Sequence, residues 1–104
     1  MRSLRTFLAD HAARDTWLKA EMEDLEKHDA HLAYWDKSGQ HLGLVISAGL
    51  RSGEMHVSSD GAVTFQVERG AGEVIRKGSS VISDERGLKI LYAEFRAAVF
   101  GSGS

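Results

Sequence analysis

The chain has no cysteine, which excludes a disulfide framework, a thiolate nucleophile and thiolate zinc sites. It has no long apolar run either: nothing approaches the roughly 20 apolar residues of a membrane span. The start Met1-Arg2-Ser3-Leu4 lacks the apolar stretch of a signal peptide. A cytoplasmic protein without membrane contact is the expectation. No serine sits in a Gly-x-Ser-x-Gly elbow. Gly70-Ala71-Gly72 and Gly101-Ser102-Gly103 lack the lysine or full glycine fingerprint that cradles phosphate. No cofactor and no catalytic residue is therefore assigned, and the chain reads as a non-enzyme. Glycine is absent from the first 38 residues although the chain holds 11, which separates a helical first part from a turn-rich second.

With 104 residues, 42% hydrophobic and 27% charged, the composition is that of one globular domain. The domain is placed at residues 1–100, with Gly101-Ser102-Gly103-Ser104 read as a flexible linker-like tail outside it. Net charge is -2, and the acids are concentrated. Residues 15–30 carry six acids (Asp15, Glu21, Glu23, Asp24, Glu26, Asp29) against Lys19 and Lys27. Such a segment repels nucleic acid and steers a basic partner toward itself, unless it is simply a solvated helix face.

Leu4, Phe7, Leu8, His11 and Ala12 follow helical spacing behind Ser3 as a cap. Asp15 is placed to cap a second run carrying Leu18, Met22 and Leu25. Residues 3–28 are thus one long helix or two with a bend near Arg14, the bend being preferred. From His31 the pattern is that of strands. Val63, Phe65 and Val67 alternate with Thr64, Gln66 and Glu68. A three-residue loop, Ser59-Asp60-Gly61, pairs Val57 with Val63 and Met55 with Phe65, apolar opposite apolar. By the same logic Lys37-Ser38-Gly39 sets Tyr34 opposite Leu42 and Leu32 opposite Leu44. Glu73–Lys77 suits a short edge strand guarded by charge. Ser83 or Asp84 caps a last helix with Leu88, Leu91, Tyr92, Phe95 and Val99 as its apolar stripe and Gly101 past its end. The predicted fold is α+β: an N-terminal helix, an antiparallel meander of four to five strands, and a C-terminal helix packed on the sheet.

Histidine spacing invites a metal reading at His28-Asp29-Ala30-His31, but the strand pattern begins at His31 and a third ligand, such as His41, would have to come from elsewhere. Asp60 and Glu68 resemble the carboxylates of metal-dependent nucleases, yet Gly70 stands where that pattern needs lysine. No metal site is assigned. The first hairpin is more informative. Opposite Leu32, Tyr34, Leu42 and Leu44 its other face carries Ala33, Trp35, His41, Gly43 and Val45, which is also rather apolar. The corresponding face of the second hairpin, His56, Ser58, Thr64, Gln66 and Glu68, has the composition of a wetted surface. Either helix 1 covers the patch around Trp35, or Trp35 and Val45 are exposed and anchor a partner.

These features point first to a non-enzymatic protein-binding module. Its expected contacts are Trp35, His41 and Val45 on the sheet and Glu21, Glu23, Asp24, Glu26 and Asp29 on the helix. In size, charge and element order the chain resembles the small acidic α+β inhibitors of bacteria and phages, such as toxin-immunity and anti-defence proteins. That resemblance implies acids that mimic phosphates toward a basic protein partner. A homodimer joined by such a face is a further expectation. Two alternatives stand beside it. One is a small nucleic-acid binder using Arg51, Arg69, Arg76 and Lys77, disfavoured by the neutral charge of that half. The other is a small metal-dependent enzyme using His31, His41 or His56.

Overall fold

The computed structural model describes residues 2–36, 40–70 and 72–101. Two short polar side chains divide the N-terminal helical region. The Ser3 hydroxyl accepts from the Thr6 amide and starts α1 (Leu4–Ala9); the Asp10 carboxylate accepts from the Ala13 amide and starts α2 (His11–Glu26). The bend therefore falls at Asp10, not near Arg14, and Asp15 is not the cap. Asp10 caps because its backbone leaves the helical region there (φ -84°, ψ 84°). Arg14 lies inside α2 and is buried, with its Nη1 donating to Asp36 Oδ2 at 2.7 Å. Its Nε and Nη2 donate to Asp15 Oδ1, which also accepts from the Tyr34 hydroxyl. Those bonds tie the start of α2 to the first strand.

Five strands follow: β1 (Ala30–Asp36), β2 (His41–Ala48), β3 (Arg51–Ser58), β4 (Ala62–Arg69) and β5 (Glu73–Val81). They pair antiparallel in the order β1-β2-β3-β4-β5, each with its sequence neighbour. The second predicted hairpin has the predicted register, Val57 opposite Val63 and Met55 opposite Phe65, with Gly61 at φ +102°. The first is displaced by two residues: Tyr34 pairs with Leu44, Leu32 with Ile46, and Asp36 with Leu42. A two-residue slip keeps every side chain on its face, so the faces stand while the connection is longer than three residues. The loop residues Lys37, Ser38 and Gly39 lie outside the described residues. The edge strand β5 runs on to Val81, beyond the predicted Lys77, with a bulge opposite Val67/Glu68. Finally α3 (Glu85–Phe100) starts on Asp84, whose carboxylate accepts from the Gly87 amide, and ends at Gly101 with φ +74°.

One face of the sheet carries the core. Leu32, Leu42, Leu44, Ile46, Met55, Val57, Val63, Phe65 and Val67 point to this face and are buried. α2 lies against β1, and α3 lies across β2, β3 and β4. Leu88, Tyr92, Phe95 and Val99 from α3 and Phe7, Leu8, Leu18 and Leu25 from the first two helices complete the cluster. The N-terminal segment is stitched to the start of α3: the Leu4 amide donates to Ser83 O and the Glu85 amide to Arg2 O. Arg2 adds an ion pair to Glu85.

Candidate functional site

Strand parity sends Ala33, Trp35, His41, Gly43, Val45, Glu54, His56, Thr64 and Gln66 to the other face, and the helices pack on the core face alone. Trp35 is 42% exposed there. It sits directly opposite Gly43 and its indole lies against that residue, so that a Cβ on Gly43 would fall inside the ring. A flat aromatic side chain can rest on the sheet backbone only where the neighbour has no side chain, which is the use of glycine at this position. One ring face is thus spent on the sheet and the other turned outward.

Gly43 in turn sits opposite His56, which meets the Trp35 ring edge-on with centroids 5.8 Å apart. His56 links two further groups: its Nδ1 is 3.1 Å from His41 Nε2, and its Nε2 is 3.0 Å from Glu54 Oε1. Assigning tautomers to satisfy all three groups, His56 Nε2–H donates to the carboxylate and His56 Nδ1 accepts from His41 Nε2–H. Each imidazole is therefore used to hold its neighbour. This chain can relay a proton. As a metal site it would first have to break its own bonds, and among the described residues no group of three metal ligands occurs. Next to this row a shallow trough of about 530 Å³ is lined by Glu54, His56, Thr64, Gln66, Lys77 and Ser79.

The predicted contact residues are brought together in part. Trp35, His41 and Val45 share the open face, with Val45 half-buried. Glu21, Glu23, Asp24 and Glu26 stand on α2 in the opposite layer, and Asp29 follows in the turn with φ +58°. The two groups cannot form one surface. Within the acidic group, Arg96 from α3 donates to both Glu21 and Asp24 and holds the Asp24 carboxyl below its ordinary pKa, chiefly through that hydrogen bond. Glu23, Glu26 and Asp29 are exposed.

The other candidates separate similarly. His28 stands beyond α2, edge-on to Phe100, whereas His31 lies on β1 opposite Ser47, so the short His28–His31 spacing forms no common site. Arg51 donates to Ala98 O near the end of α3, and Arg69 pairs with Glu73. Arg51 and Arg69 are cross-strand partners and Arg76, opposite Val67, has the same parity, whereas Lys77 pairs with Gln66 on the other face. Glu54 and Arg96 went unnoticed in the sequence. Glu54 could have been found by parity, two residues before His56 on the same strand; nothing local marks Arg96, whose partners lie 75 and 72 residues away.

The chain matches no protein-family model, no curated protein and no solved structure.

Proposed function

We propose that this chain is a non-enzymatic protein-binding module that engages its partner through the open face of the sheet, with Trp35 as the anchor. The observation that supports this most is a large aromatic side chain left 42% exposed on the one sheet face that carries no helix. Aromatic residues held rigidly dominate binding energy, and Trp35 is held by Gly43 below and His56 beside it. Among the described residues of this face, the carboxylates Glu54 and Glu68 stand with the cation Lys77. The fitting partner is a protein presenting a basic side chain, its cation over the outward face of the indole and its donors toward Glu54. A small acidic inhibitor or immunity-type protein that occupies a basic surface would act in this way.

The test is an NMR titration with a short arginine-containing peptide, followed at the Trp35 indole N–H. Saturable shifts that disappear in Trp35→Ala and weaken with salt support the reading. Unperturbed open-face resonances at millimolar peptide refute it. Light scattering on wild type and Trp35→Glu identifies the other occupant: a wild-type dimer that becomes a folded monomer on substitution would make the partner a second copy of this chain.

A further inference from the structure

His41 and His56 are two of the chain's five histidines, and the sheet brings them together although 15 residues separate them. Gly43 sits opposite His56 in the register of β2 with β3, and His41 stands two residues before Gly43 on the same face. The two imidazoles are therefore diagonal neighbours on the open face.

Together they can present two lone pairs to one point. His56 Nδ1 already carries one, because Nε2–H is the group that donates to Glu54 Oε1. His41 Nε2 gains one when its proton moves to Nδ1, a change of tautomer that leaves the ring neutral. The two nitrogens stand 3.1 Å apart. Metal–nitrogen bonds of about 2.0–2.1 Å put two ligand nitrogens about 2.8–3.4 Å apart over the range from square to tetrahedral angles. Both rings are thus at ligand spacing as they stand. An ion placed off the line between them exchanges one hydrogen bond, that of His41 to His56, for two coordinate bonds.

A second observation is the carboxylate behind the pair. Glu54 Oε1 lies 3.0 Å from His56 Nε2, the nitrogen that the ion would leave free. Metal-ligating histidines almost always donate this second N–H, commonly to a carboxylate, which fixes the tautomer, orients the ring and raises the basicity of the ligating nitrogen. The His56 side chain is 38% exposed, and the helices pack on the other face, so the remaining coordination positions open to water. Imidazole suits copper, nickel and zinc, and the affinity of a given site peaks at Cu²⁺. The other histidines are placed differently: His11 lies 3.5 Å from Asp36, His28 edge-on to Phe100, and His31 opposite Ser47. We infer that His41 Nε2 and His56 Nδ1 bind a divalent transition-metal ion, Cu²⁺ in the first place, with Glu54 as the positioning carboxylate and water in the remaining positions.

Calorimetric titration of Cu²⁺ into wild type is expected to show saturable one-to-one binding, with the EPR spectrum of the complex carrying the couplings of two imidazole nitrogens. His41→Gln and His56→Gln, which keep a hydrogen-bonding side chain, should each weaken binding about tenfold or more. Glu54→Ala should weaken it about tenfold, with partial recovery in Glu54→Gln, whose amide oxygen still accepts from His56. His28→Gln should bind like wild type. Trp35→Ala should still bind Cu²⁺ while losing the arginine peptide, so the metal site and the protein-binding surface stand or fall separately. No saturable heat up to about 1 mM Cu²⁺, an affinity indifferent to His41→Gln, His56→Gln or Glu54→Ala, or an equal loss in His28→Gln would each overturn the inference.

Discussion

Substituting alanine for Gly43 and, separately, for Gly53 adds the same methyl group to opposite faces of one sheet. Neither glycine has positive φ, so the backbone tolerates both changes and the difference between them measures what covers each face. At Gly53 the new Cβ would stand 2.6 Å from Phe95 Cε1 and 2.7 Å from Val99 Cγ2, and both side chains are fully buried under α3. Neither can swing aside, and overpacking of this kind costs about 1–3 kcal/mol. In a domain of this size each kcal/mol lowers Tm by about 4–8 °C. At Gly43 the Cβ displaces the Trp35 indole, which is free to rotate into solvent. The loss is the packing of one ring face on the strand together with the edge-on contact with His56, the latter about 0.5–1.5 kcal/mol. Alanine in a strand recovers about 0.5–1 kcal/mol relative to glycine. Gly43→Ala should therefore be less destabilised than Gly53→Ala, while its tryptophan emission shifts to the red. Urea denaturation with fluorescence detection reads both quantities. A Gly43→Ala protein as destabilised as Gly53→Ala would mean that the outer face is packed, and the binding surface proposed around Trp35 would not exist.

Replacing Arg14 by methionine removes the buried guanidinium from the Asp36 carboxylate and should destabilise the fold by about 1–3 kcal/mol; a double substitution with Asp36→Leu that fails to recover part of this in urea denaturation would contradict the pairing. Gly61→Ala forces a side chain into positive φ and against the Ile82 carbonyl, and its Tm should fall by more than that of Gly49→Ala, which meets nothing. Removing the cap in Asp84→Ala should cost about 1 kcal/mol, measured by thermal denaturation. The Asp60 carboxyl is held below its ordinary value of 3.8, first by the Ala62 amide and then by the Ser58 hydroxyl. A depressed folded pKa gives stability that is present above the ordinary value and lost as pH falls below it toward the folded one. Asp60→Asn should accordingly be less stable than wild type at neutral pH and approach it at pH below 3.8; a gap independent of pH would refute this.

Parity along the strands is readable because side chains alternate strictly, and it places Trp35, His41, Gly43 and Val45 together on one face. Register needed a turn with a definite geometry. Asp60-Gly61 supplied one, since a glycine with positive φ closes a three-residue loop in one way only. At the first hairpin alternation alone could not distinguish Tyr34 opposite Leu42 from Tyr34 opposite Leu44, because both keep the same faces. The helical break was misplaced for a related reason. Asp10 and Asp15 are both good caps, and the choice between them is made by Arg14, which has to reach Asp36 on a strand 22 residues away. Exposure of Trp35 was undecidable from the chain alone, since it depends on which side of the sheet α2 takes. The contact of His41 with His56 is equally hidden: the two are 15 residues apart, and the diagonal between them follows only from the register of β2 with β3.

The strand order carries a kinetic consequence. In a pure meander each strand finds its partner across a short loop, so closing the sheet loses little chain entropy and proteins of low contact order fold fast. Among the contacts that break that locality, the stitching of Arg2, Ser3 and Leu4 to Ser83, Asp84 and Glu85 spans the longest stretch of chain. It encloses nearly the whole chain and can form only after the sheet and α3 exist to receive it. α1 is thus a latch set late in folding. Substitutions at Arg2 or Leu4 should accelerate unfolding while leaving the folding rate almost unchanged, which makes the N-terminal turn the place where the lifetime of the folded state is decided.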